Sequence, residues 1–154
     1  MGELISLHET MKVYPDANIY ITYLLGQKGE ALSDIFFKQG IGCRFSIVAS
    51  KTVFAEIAQR CGGQGIILLQ NTVDNFKKAG KLEIWNLTAD DTREATTLNI
   101  EAGLRFGHND MEHALIARKS GALLVTNDRR LARHLNEKFK QGAKGLEEFV
   151  GSEP

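Results

Sequence analysis

The sequence predicts an α/β fold with a mainly parallel sheet between helical layers, and three observations carry that prediction. Short apolar runs alternate with stretches of helical spacing four times along the chain, as β-α-β crossovers require. The run ALLVT (122–126) is almost continuously apolar, as expected of a strand covered on both faces. Acids stand where strands end, at Asp16 and Asp128, and open parallel sheets carry their functional groups on that carboxyl edge.

Residues 1–11 show no clear periodicity and are expected to form a loose lead-in. MKVYP is a short strand reaching Asp16, and DANIYITYLLG begins a helix whose last turn ends at Gly26. Residues 30–39 place Leu32, Ile35 and Phe36 at helical spacing, with Gly40 as a C-terminal cap. CRFSIVA (43–49) is the second strand. Ser50 then caps a helix running to about Arg60, with Val53, Phe54 and Ile57 inward. Glu56 falls on the border between that buried stripe and the rim. GGQG (62–65) reads as a loop; it follows a helix rather than a strand, which argues against a dinucleotide phosphate loop. A further helix carries Leu69, Val73 and Phe76 and closes at Gly80.

KLEIWNL is the third strand. Thr88 and Asp91 form a capping box ahead of a long helix bearing Ala95, Leu98, Ala102 and Phe106. In HNDMEHALIARKS (108–120), Asp110 opens a helix whose apolar side is Met111, Ala114, Leu115 and Ala117, and Gly121 closes it. After the ALLVT strand come Asn127 and Asp128, and Arg129 begins a helix to about Lys140. Residues 141–154 have a weak pattern and are expected to be a loosely structured tail or a short edge strand.

The 154 residues fit one domain, long enough to bury about 70% of the unfolded surface. A formal net charge of zero argues against a generally cationic nucleic-acid binder, while leaving room for a local basic face. No apolar run approaches the roughly 18 residues of a membrane span, and no signal peptide is visible, so the expectation is a cytoplasmic protein without a membrane partner. Cys43 and Cys61 lack metal-binding spacing and read as reduced packing residues. His108 and His113 stand five residues apart, which does not put both on one helix face for zinc. Trp85 and most of the eight phenylalanines read as core.

Four acids occupy comparable places: Asp16 after the first strand, Glu56 on a helix flank after the second, Asp110 at a helix start and Asp128 after the fourth. Singly, each also suits a cap, a turn or a solvated surface. Together, the segments PDANI (15–19), SKTVFAEI (50–57), DMEHALIA (110–117) and LLVTND (123–128) resemble the acidic motifs of PIN-domain nucleases. The resemblance runs from about residue 12 to 135. It implies a three-layer α/β/α sandwich with about five strands. It also implies that Asp16, Glu56 and Asp110 are the core metal-binding acids, with Asp128 as a fourth. Thr126, Asn127 and Asn18 would be supporting polar groups.

Carboxylates gathered this closely repel and cannot all stay ionised unaided. Hard oxygen ligands suit Mg²⁺ or Mn²⁺, and one or two such ions support metal-assisted phosphodiester hydrolysis. The resemblance implies RNA as substrate, cut internally to leave a 5′-phosphate and a 3′-hydroxyl. It further implies a VapC-type toxin held inactive by a small antitoxin, or else an rRNA-processing or RNA-quality-control nuclease. Homodimers are common in the resembled family. A polyanion needs flanking cations, and Arg129, Arg130 and Arg133, followed by Lys138, Lys140 and Lys144, offer a rim beside Asp128. A catalytically silent RNA- or protein-binding module is the competing class, against which the four intact acids argue. A phosphoryl-accepting receiver domain would need a paired acid and a late lysine at places where neither occurs.

Overall fold

The computed structural model describes residues 11–26, 30–42 and 44–151. The expected lead-in over 1–10, the packing role of Cys43 and the last three tail residues lie outside the described residues. The elements run β1 (Met11–Pro15), α1 (Ala17–Leu25), α2 (Glu30–Ile41), β2 (Phe45–Ala49), α3 (Lys51–Lys78) and β3 (Leu82–Ile84). They continue as α4 (Ala89–Glu101), α5 (His108–Ser120), β4 (Leu123–Thr126), α6 (Arg129–Lys138), β5 (Ala143–Gly145) and α7 (Leu146–Gly151). The five strands are ordered β3-β2-β1-β4-β5 and every neighbouring pair is parallel, completing the α/β/α sandwich.

From β1 the chain winds outward through β2 to β3, then crosses back to β4 and β5. The direction reverses between β1 and β4, and at such a switch point the carboxyl ends of the two strands open a crevice. Register pairs Pro15 with Val125, so the residues that follow, Asp16 and Thr126, emerge side by side.

The sheet is buried as its apolar strands require: Val13, Tyr14, Ile47, Val48, Leu124 and Val125 are all inaccessible. An aromatic cluster lies against it. Phe36 of α2 packs on Phe45 of β2 at 4.8 Å and on Phe149 of α7 at 5.7 Å. The capping box forms as read: the Thr88 hydroxyl accepts from Asp91 N–H at 3.2 Å, and the Asp91 carboxylate accepts from Thr88 N–H at 2.9 Å.

Three expectations are corrected and one open alternative is decided. Gly40 does not cap α2, which continues to Ile41; a Cβ there would meet the rings of Phe76 and Phe45 at 2.7–2.8 Å, so glycine permits close packing instead. The GGQG segment is a kink rather than a loop: the helix before it and the helix after it meet at Gly62 (φ 67°, ψ −168°), and helical geometry resumes at once within α3. Of the two readings of the tail, the short edge strand is the one that forms: β5 pairs with β4 at the sheet edge, and Phe149 beyond it is buried against the aromatic cluster. Lys140 lines a cleft with Met11, Lys12 and Leu123 at the amino ends of β1 and β4, since α6 carries its C-terminus away from Asp128. It therefore belongs to no rim at the acids.

Candidate active site

Asp16 stands at the N-cap position of α1, yet its carboxylate makes no capping bond to that helix. Burial explains its fate: with 5% exposure, Oδ2 accepts from the Thr126 hydroxyl at 2.5 Å, while Oδ1 is buried with no partner. A carboxylate oxygen left so is costly. Burial pushes the Asp16 carboxyl up to about 6, the Thr126 hydrogen bond and His113 oppose that, and the charge of Asp110 adds to it. Thr126 also accepts from the Asp128 N–H at 3.0 Å, tying the ends of β1 and β4 together.

Asp128 is the N-cap of α6, its Oδ1 accepting from the N–H groups of Arg130 and Leu131 at 3.0 and 3.1 Å. Asp110 sits in the first turn of α5 and accepts from Gly107 N–H at 3.3 Å. Asp128 takes the N-cap role open to it, whereas Asp110 does not: Gly107 is the N-cap of α5 and Asp110 stands at its third position, reaching back to it. Burial raises the Asp110 carboxyl above its usual range, and the charges of Asp128 and Glu56 raise it further. The fold thus brings Asp16, Glu56, Asp110 and Asp128 into one field, with Asp110 coupled to each of the others.

Glu56 is held differently, by a partner the sequence reading passed over. His113, 1% exposed on α5, meets Glu56 Oε1 through Nε2 at 3.1 Å. Its Nδ1 meets the Tyr14 hydroxyl at 2.8 Å, and that hydroxyl meets Ser50 Oγ at 2.7 Å. Ser50 caps α3 by accepting from Val53 N–H at 3.1 Å, and α3 carries Glu56, so the chain closes on itself. An ionised carboxylate only accepts, so Nε2 carries a proton. With a neutral ring, Nδ1 then accepts from Tyr14, and Tyr14 accepts from Ser50, leaving every member satisfied. The His113 hydrogen bond is the main reason the Glu56 carboxyl lies below its usual range.

His113 spends both ring nitrogens this way, which removes it as a zinc ligand. The signal that marks it is its place three residues after Asp110, on the buried side of α5. Arg60, one turn beyond Glu56, is a second group not foreseen; it donates to Asn18 Oδ1 at 3.1 Å and its charge bears on Glu56. Asn18 and Asn127 are exposed. Among the rim cations, Arg129 pairs with Glu147, whereas Arg130 and Arg133 line a pocket with Arg105 and Phe106.

Among the described residues no three His, Cys, Asp or Glu side chains stand as a preassembled ion cage. Each acid instead leans on its own donor. The donor set nevertheless fits a hard divalent ion: four carboxylates, one of them with a buried oxygen that lacks any partner.

The sequence profile of the PIN domain matches residues 13–135. The chain belongs to the PIN domain family. Its members are nucleases, generally metal-dependent. Solved structures share the fold of this PIN domain at low identity. VapBC2 from Rickettsia felis, bound to a promoter DNA fragment, superposes with a TM-score of 0.60 at 22% identity, covering 88% of this chain and 98% of that one. PAE2754 from Pyrobaculum aerophilum gives 0.55 at 18%, covering 92% and 96%. VapC20 from Mycobacterium tuberculosis, described as a toxin that cleaves the sarcin-ricin loop, gives 0.60 at 14%, covering 79% and 93%. No curated protein sequence matches. No helix among the described residues of the PIN domain is long and apolar enough to cross a membrane.

Proposed function

We propose that this PIN domain is a divalent-metal-dependent endoribonuclease of the VapC toxin type. The observation that carries the reading is the Asp16 carboxylate, buried with an unpartnered oxygen at the switch point of the sheet and in the field of Asp110, on which the charges of Glu56 and Asp128 also bear. Asp16, Glu56 and Asp110 would hold Mg²⁺ or Mn²⁺, with Asp128 completing the set or orienting the attacking water. A bound ion of this kind supplies Lewis-acid chemistry, making water a nucleophile near neutral pH and offsetting charge on the phosphate.

The protein's own groups prepare that chemistry. Thr126 fixes the rotamer of Asp16, and His113 fixes that of Glu56. The proposed reaction is direct attack by water, leaving a 5′-phosphate and a 3′-hydroxyl. Arg130 and Arg133 lie beyond Asp128, where they would meet the RNA backbone, and Arg129 would join them on leaving Glu147. Two structural neighbours, one a VapBC complex and one a toxin acting on an RNA loop, support both an RNA target and restraint by a small antitoxin. A homodimer is the proposed assembly.

The test is incubation with an end-labelled RNA pool in Mn²⁺ or in EDTA, for the natural protein and for Asp110→Asn. Internal cleavage in Mn²⁺ alone, lost in the variant, is expected. Cleavage that survives EDTA, or full activity of Asp110→Asn, would overturn the reading.

A further inference from the structure

A second concave site lies close along the chain to Asp110 and Asp128, lined by Phe106 and Arg130 among others. Between the 102–107 turn and α6 lies a pocket of about 270 Å³, the size of a single small unit rather than of a large ligand. Its floor is aromatic: the Phe106 and His134 rings lie 5.3 Å apart, and Phe139 braces His134 from behind at 5.2 Å. Its rim is cationic, with Arg105, Arg130, Arg133 and Lys138 set against one acid, Glu137.

What sets the rim apart is that four cations converge on one hollow with a single acid, Glu137, among them. Elsewhere Arg93 pairs with Asp90, Arg118 with Glu94, and Lys119 with Asp91. Arg105 is instead fixed by neutral partners: Nε donates to Ala102 O at 3.0 Å, a terminal N–H donates to His134 Nδ1 at 2.9 Å, and the guanidinium lies 5.7 Å from the Phe106 ring centre. Among the described residues no carboxylate pairs with Arg105, Arg130, Arg133 or Lys138. Like charges held together around a hollow repel, and an arriving anion relieves that repulsion. Both walls are continuous with the acids. Gly107, at the end of the turn, donates to Asp110, and Arg130 N–H donates to Asp128.

We propose that this pocket seats one nucleotide of the RNA strand flanking the scissile bond, its phosphate on Arg105, Arg130 and Arg133 and its base or ribose over the Phe106–His134 floor. The proposal rests on the reading of the acids as an RNA-cleaving centre. It adds a residue, Arg105, that lies outside the basic helix, and it gives the substrate a direction of travel from Asp110 and Asp128 toward α6.

The experiment is fluorescence anisotropy of a labelled single-stranded oligoribonucleotide over a range of salt, with EDTA present to prevent cutting. Arg105→Gln and Arg133→Gln are compared with Arg118→Gln, which changes net charge equally but lies outside the pocket. Each pocket variant is expected to weaken binding several-fold and to reduce the slope of log K against log salt by about 0.7, with melting temperature unchanged and Arg118→Gln close to the natural protein. Unchanged binding by Arg105→Gln, or an equal loss in Arg118→Gln, would overturn the pocket. An acidic peptide that competes as strongly as RNA, and loses as much in Arg105→Gln, would overturn it in favour of a protein partner. If the natural protein cuts RNA with Mn²⁺ while Arg105→Gln binds normally, the pocket alone fails. If the natural protein neither cuts nor binds RNA, the reading of the acids fails first.

Discussion

Replacing Asp16 by asparagine should stabilise the metal-free protein near neutral pH, although Asp16 is the most buried of the four acids. Burial raises its carboxyl from an ordinary value of 3.8 to about 6. In the unfolded chain the group ionises as pH rises through about 4, while in the folded chain it stays protonated until about 6. Folding is therefore progressively penalised across that window, and above it the penalty is complete. A separation of about two units corresponds to about 3 kcal/mol. Asparagine keeps an acceptor for Thr126 but places an amide N–H₂ where Oδ1 has no partner, which returns part of the gain. The net expectation is a gain of about 1–2 kcal/mol at pH 7 in EDTA, vanishing below pH 4. Urea unfolding at several pH values measures it. Asp16→Asn less stable than the natural protein at pH 7, with an unaltered pH slope, would refute the claim that this carboxylate is strained in the fold.

Further outcomes follow from other contacts. His113→Asn keeps an acceptor near the Tyr14 hydroxyl but loses Glu56, while His113→Gln can still reach Glu56. The first should weaken Mn²⁺-linked thermal stabilisation about 10–100-fold in midpoint, and the second much less; equal behaviour would remove the positioning role. Thr126→Val should cost about 1–3 kcal/mol in urea, since it deprives both Asp16 and the Asp128 N–H of a buried partner. Phe149→Ala should cost about 3–5 kcal/mol and expose the tail to proteolysis, because Phe149 is the tail's anchor against Phe36 and Phe45.

The parts legible in the sequence are those whose physics is local. MKVYP and LLVT end in acids because the strands stop where the sheet opens, and the Thr88–Asp91 box and Asp128 cap are written within four residues. Ser50 and Gly121 cap their helices as read. What stayed hidden or undecided depends on distant partners. β5 is only three residues, AKG, without apolar alternation, and it exists because β4 offers an edge and Phe149 a seat. Gly40 looks like a stop, and its real role is set by rings at positions 45 and 76. His113 looks like a core histidine, and its partners lie 57 and 99 residues away. Arg105 carries no motif, and only the turn before α5 brings it opposite α6.

The most direct measurement of the metal centre is calorimetric titration of Mn²⁺ into the natural protein at pH 6, in two buffers of different ionisation enthalpy. A carboxyl at about 6 that must ionise to bind a cation should release about half a proton per site, making the heats differ between buffers, and Asp16→Asn should show neither the binding nor the release. Saturable binding of Mn²⁺ with no proton release, or unchanged binding in Asp16→Asn, would contradict the account.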